Sequence, residues 1–157
     1  MKEILSFLIL AVFLSSLSGC TGESSAQSSL RESRFVELNK GYFTENGIST
    51  KKQAKVISSQ VDYAAELSNY TSATPASVDF TSGRVLLVDM GGRNTGGYSI
   101  DVTSVDVNVD SVVANIRLLK PGSGCAVTLS ITNPYQFVFI PSLKEILLSE
   151  RLEVVNC

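Results

Sequence analysis

The chain has 157 residues, a formal net charge of −2 and no histidine. A slightly acidic chain of this length is typical of one folded domain and excludes the basic surface of a nucleic-acid-binding protein. Without histidine the chain has no Ser-His-Asp or Cys-His catalytic group and lacks the commonest metal ligand. We therefore expect no enzyme, cofactor or metal site; a carboxylate pair brought together by folding is the remaining catalytic alternative.

Residues 1–19 have the layout of an export signal, with a charged start, an apolar run over residues 4–17 and then small residues. The apolar run is shorter than the roughly 20 residues that a membrane-spanning helix needs. The ending "LSGC", residues 17–20, resembles a bacterial lipobox, in which Cys20 carries diacylglycerol and becomes the mature N-terminus. This predicts a lipid-anchored cell-envelope protein, in the outer membrane facing the periplasm if the organism has one. The alternative is an ordinary signal peptide cut near Gly19.

The Ser-rich residues 20–32 are predicted to be a flexible tether, and residues 33–157 a single domain. Apolar alternation predicts strands within residues 34–43 and 52–58. A helix is predicted within residues 58–70, where Ser59 can cap the first turn. Its predicted core-facing stripe consists of Val61, Ala64, Ala65 and Leu67.

The rest of the chain is predicted to be mainly strands. Residues 84–90 are almost continuously apolar, which is typical of a strand buried on both faces. The alternation in residues 98–109 shifts phase near Thr103 and Ser104, which predicts a β-bulge. Further strands are predicted in residues 112–119, 126–131 and 136–140, and the tail 143–157 is predicted to hold a helical turn and a last short strand. The predicted fold is mainly β (α+β): a small antiparallel β-sandwich or barrel-like domain with one helix on its N-terminal side.

The glycine-rich stretch "GGRNTGGY" lies between two predicted strands. A phosphate-binding loop would have to open a helix, and here a β-branched, alternating segment follows, so we exclude that interpretation. A structural turn and a partner-recognition loop remain equally open. Arg93 and Asn94 are the residues expected to be exposed and to contact a partner.

Two cysteines remain if Cys20 is acylated, namely Cys125 and Cys157. In an oxidising compartment this pair predicts a disulfide that ties the C-terminus to the turn "KPGSGC". The alternatives are two free thiols, or two unrelated cysteines of which one reacts elsewhere.

Three motifs, in order, resemble the C-terminal domain of the protease-complex subunit PrcB. They are a Gly-x-x-x-Thr-Gly-Gly-Tyr segment, a Pro-Gly-x-Gly-Cys turn and a late Asn-Pro-Tyr, within roughly residues 78–142. The resemblance implies a small β-rich envelope lipoprotein that associates with and stabilises an exported protease, or holds another envelope protein. The predicted partner-binding residues are Gly91, Gly92, Arg93, Asn94, Thr95, Gly96, Gly97, Tyr98, Gly122, Gly124, Asn133, Pro134 and Tyr135.

Two other functions are kept as alternatives. The loops "NTGGY", "GSG" and "NPYQF" partly resemble the three loops of chagasin-type inhibitors of cysteine proteases, although no Pro follows Asn94 and the third loop lacks Arg. A structural envelope lipoprotein without a dedicated partner is the other alternative. Tyr98 and Tyr135 also have a purely structural interpretation, as side chains that pack within the sandwich.

Overall fold

A computed structural model describes residues 31–32, 35–47 and 50–157. The strands are β1 (Arg31–Glu32), β2 (Val36–Gly41), β3 (Gln53–Ile57), β4 (Arg84–Asp89), β5 (Ser99–Val107), β6 (Ser111–Pro121), β7 (Tyr135–Ile140) and β8 (Glu145–Val155), and the helix α1 is Gln60–Leu67. The predicted signal peptide, the Cys20 lipidation site and most of the predicted tether lie outside the described residues. Across the described ranges, no helix is long and apolar enough to cross a membrane.

The strands form two four-stranded sheets that face each other. Sheet A has the order β1-β5-β6-β8 and sheet B the order β2-β7-β4-β3. The core between them takes alternate residues from the inner faces of β4 to β7, namely Leu86, Val88, Ile100, Val102, Val105, Val112, Ala114, Ile116, Leu118, Val138 and Ile140. This arrangement confirms the mainly β prediction and selects the sandwich over the barrel-like alternative.

Helix α1 covers the other face of sheet B. The backbone N–H of Asp62 donates to Ser59 Oγ over 3.1 Å, so the predicted N-cap is confirmed. The predicted stripe is wrong except at Leu67, because Val61 is exposed and Tyr63 is the second buried side chain of the helix. Tyr63 and Leu67 are four residues apart and lie on one helix face.

Strand β4 is buried on both faces, as predicted. Leu86 and Val88 point into the core between the sheets, while Val85 and Leu87 pack beneath α1. The predicted bulge in β5 is also confirmed, since the register with β6 shifts between Val102 and Ser104.

Three local predictions were wrong. The tail forms no helical turn at residues 145–155, because β8 pairs with β6 in parallel over its whole length and backbone pairing overrides local propensity. Sheet A is therefore not purely antiparallel. Residues 126–131 form no strand, and within this segment Thr128 O accepts from the Gly96 N–H of the loop after β4. Arg31 and Glu32, at the end of the predicted tether, pair with β5.

Candidate functional site: the loop end of the sandwich

The loops that carry the predicted site meet at one end of the sandwich. The pairing of Gly41 with Tyr135 and of Tyr135 with Asp89 brings the ends of β2 and β4 beside the start of β7. The connections at this end are residues 42–47, 90–98 and 122–134, and we call them together the loop end.

Asp89 organises the loop end from within. Its side chain is fully buried, and its carboxylate accepts four hydrogen bonds. Tyr70 Oη and Gln53 Nε2 donate to Oδ2 over 2.8 and 3.1 Å. The Gly91 backbone N–H and Asn133 Nδ2 donate to Oδ1 over 2.7 and 2.6 Å. A buried charge is tolerated when its lone pairs are satisfied in this way, and here the donors come from four separate parts of the chain.

Tyr70 is held as a neutral donor in this network. Burial raises the pKa of its hydroxyl, and the hydrogen bond to Asp89 and the negative charge of Asp89 raise the pKa further. The hydrogen bond from Gln53 opposes the shift only partly. Tyr70 is therefore protonated at neutral pH and donates to Asp89.

Loop 90–98 is joined to the segment 128–134 along its length. Five hydrogen bonds link them: Met90 N to Pro134 O, Arg93 N to Thr132 O, Thr132 N to Arg93 O, Gly96 N to Thr128 O, and Thr132 Oγ1 to Thr95 O. Both loops therefore have a defined conformation before any partner binds.

Arg93 stabilises loop 90–98, to which it belongs. Its Nη2 donates to Met90 O over 2.6 Å, and its guanidinium carbon lies 5.6 Å from the centre of the Tyr98 ring. The expectation of an exposed Arg93 is wrong, since the side chain is half-buried, whereas Asn94 is exposed. Tyr98 itself is half-buried and packs against the core between the sheets.

Two glycines are required by the loop geometry. Gly91 has a φ of +75°, and a Cβ there would lie 2.8 Å from the carbonyl carbon of Lys51. A Cβ on Gly96 would lie 2.3 Å from Thr128 Oγ1. Larger residues at these positions would push the loops apart.

The Asn-Pro-Tyr motif is internal. Asn133, Pro134 and Tyr135 are all buried, and the Tyr135 ring centre lies 4.6 Å from that of Tyr70. A role for these three residues in binding remains a prediction, and their contacts here are with the scaffold.

The second predicted loop lies beside the C-terminus. Cys125 and Cys157 form the predicted disulfide, with their Cα atoms 5.1 Å apart. The Gly122 backbone N–H donates to Val155 O over 2.9 Å, just beyond the paired ends of β6 and β8. Gly124 is exposed, and no atom lies within 4 Å of where its Cβ would be.

An open cleft of about 400 Å³ runs across the loop end. It is lined by Tyr42, Phe43, Gly96, Gly97, Tyr98, Ser99, Thr128 and Thr132. Phe43 is 62% exposed, and Leu129, in the loop that lines the cleft, is 94% exposed. The sequence analysis missed both residues: Phe43 was placed within the first predicted strand segment, residues 34–43, although β2 ends at Gly41, and Leu129 was placed in a strand that does not form.

The fold and this site define a small β-sandwich that presents a pre-organised loop surface. A family model described as PrcB C-terminal matches residues 84–141, from the start of β4 to the residue after β7. The match confirms the resemblance predicted from the motifs: this segment is similar to the PrcB C-terminal domain. That family is of the accessory or partner type and suggests association with a protease-related complex. No curated protein and no solved structure matches the chain significantly.

Proposed function

We propose that the protein is a lipid-anchored envelope accessory protein whose loop end binds and stabilises an exported protease. The observation that carries the proposal is the exposure of Phe43 and Leu129 on loops bonded to the scaffold, where Tyr42 O accepts from the Asn133 N–H and Thr128 O from the Gly96 N–H. Exposed apolar side chains on a rigid surface favour binding, because little conformational entropy is lost on docking. The family match supports a protease as the partner.

The entry of the chain into the domain supports the anchored arrangement. Arg31 pairs with Val107, at the end of β5 that is remote from the loop end. A chain anchored at Cys20 would therefore enter the described domain at Arg31, at the end opposite to the cleft. Incorporation of labelled fatty acid by the parent chain, and its loss in Cys20→Ser, tests the anchor.

The binding surface is tested by affinity capture from envelopes solubilised in mild detergent. The baits are the full-length chain, Phe43→Ser, Leu129→Ser and the control Val109→Ser, which changes an 86% exposed apolar residue at the opposite end. Truncating an interface anchor costs about 2 kcal/mol, or roughly a 30-fold loss of affinity. We expect the parent and Val109→Ser to retain a protease that the other two variants lose, after all four show the same Tm. Equal capture by all four baits would contradict the assignment of the surface.

The activity of the captured protease separates stabilisation from inhibition. An accessory subunit predicts that protease abundance falls when the gene for this chain is deleted. An inhibitor of the chagasin kind predicts that protease activity rises instead. The inhibitor alternative has less support, because Tyr135, which would stand in its third loop, is 3% exposed.

A further inference from the structure

Strand β8 leaves a long apolar edge open. It is the last strand of sheet A, and among the described residues no strand pairs with its outer edge. Its exposed large apolar side chains are Leu147, Leu148, Leu152, Val154 and Val155. A long, apolar edge strand of this kind is a template for pairing with another strand.

The inner face of β8 is symmetric in sequence. The register with β6 places residues 146, 148, 150, 152 and 154 on the same face as the core residues of β6. In order these are Ile, Leu, Glu, Leu and Val, so two apolar residues lie on each side of Glu150, a β-branched residue outside and a leucine inside. Leu152 is 61% exposed on this face, whereas its register neighbour on β6, Leu118, is 8% exposed.

The hydrogen-bonding groups of the same residues point outward. Val155 O accepts from the N–H of Gly122, on the β6 side of the strand. Backbone groups of successive residues point to opposite edges of a strand, so those of residues 146, 148, 150, 152 and 154 face the free edge. The apolar face and the unpaired backbone groups therefore belong to one set of residues.

We propose that two copies of this chain pair through β8, antiparallel and two-fold symmetric about Glu150. Ile146 of one copy then lies opposite Val154 of the second copy, and Leu148 lies opposite Leu152. Sheet A of one copy and sheet A of the second copy then form one continuous sheet of eight strands. A two-fold interface needs a self-complementary patch, and residues 146, 148, 150, 152 and 154 of the two copies provide one.

The charged side chains of β8 are compatible with this pairing. Two Glu150 carboxylates facing each other would repel, and cross-strand like charges are destabilising. Each Glu150 already forms an ion pair with Lys52 of its own copy, which offsets that repulsion. On the outer face, Arg151 lies opposite the neutral Ser149 of the second copy, so no further like charges meet directly.

Cysteine cross-linking in envelopes tests the register. In Glu150→Cys the two thiols of a dimer lie on adjacent strands with Cα atoms about 5.5 Å apart, within the range of about 4.4–6.8 Å that a disulfide spans. In the control Glu153→Cys the two positions are about 20 Å apart along the strands. We expect mild oxidation to convert Glu150→Cys to a dimer at least tenfold faster than Glu153→Cys or the parent chain. Equal rates would overturn the proposal.

A disruption variant tests the same interface without cross-linking. Leu152→Glu puts a charge opposite Leu148 of the second copy, and Val109→Glu is the control at another exposed apolar position. We expect sedimentation of the full-length chain in detergent to show a dimer that Leu152→Glu weakens at least tenfold and Val109→Glu leaves intact. A monomeric parent chain, or a dimer insensitive to Leu152→Glu, would overturn the proposal. So would a cross-link from position 150 to a different protein in place of a second copy.

Discussion

The replacement Asp89→Asn removes half of the acceptor capacity at the centre of the loop end. Asparagine keeps one oxygen, which can still accept from Gly91 and Asn133, but its NH2 group then faces the two donors Tyr70 and Gln53. Hydrogen bonds to a charged group contribute about 1.5–3 kcal/mol each. Loss of two of them predicts a free energy of unfolding lower by about 3–6 kcal/mol. That is a large fraction of the roughly 5–15 kcal/mol that stabilises a domain.

Urea unfolding and amide hydrogen exchange measure this effect. The control is Asp110→Asn, an exposed carboxylate in the β5–β6 turn, for which we expect a change within about 0.5 kcal/mol. Because the side chain at position 89 loses its two bonds to Gln53 and Tyr70 and is held less firmly, we also expect the Gly91 amide, which donates to it, to lose protection before the strands of the core do. A loss below about 1 kcal/mol for Asp89→Asn, or an unchanged Gly91 amide, would refute the view that this carboxylate holds the loops together.

The remaining predictions concern three other features. The pKa of Tyr70 in the folded protein is raised above its unfolded value near 10, so the free energy of unfolding should fall as the pH rises above 10. Tyr70→Phe should make that fall smaller, as measured by denaturant midpoints between pH 8 and 11. The bridge between Cys125 and Cys157 spans a sequence separation of 32 residues, so its reduction should lower the free energy of unfolding measured in urea by about 3–4 kcal/mol. A decrease below about 1 kcal/mol would contradict the argument from the entropy of the unfolded chain. Gly96→Ala should lower the free energy of unfolding by about 1–3 kcal/mol through the contact with Thr128. Adding Thr128→Ala should recover part of that free energy. If the effects of the two substitutions simply add, the contact is refuted.

Much of the sandwich could be predicted because its strands bury alternate or continuous apolar residues. The two-sided burial of β4 and the bulge in β5 follow from patterns within single strands. The conformation of β8 could not be predicted in this way. Its residues alternate poorly because much of both faces is exposed, and only the open edge of β6 makes them a strand. Pairing partners distant in sequence are not visible in local periodicity.

Most of the predicted site residues meet at one end of the sandwich, and a role for them in binding remains a prediction. Glycines and the Asn-Pro-Tyr motif give a strong sequence signal because tight turns and buried contacts constrain them. The same constraint turns several of them inward, as with Asn133 on Asp89. Exposed residues such as Phe43 and Leu129 carry no such signal.

The motif residues therefore specify the shape of the loop end, and the proposed contacts lie on residues outside the motifs. This division has a consequence for the partner. Two chains that share these motifs together with Gln53, Tyr70, Asp89 and Gly91 would share the Asp89 network, yet could bind different proteins if Phe43 and Leu129 differ. Exchanging only those two side chains between such chains should then exchange partner preference while leaving the free energy of unfolding within about 0.5 kcal/mol, as expected for exposed positions.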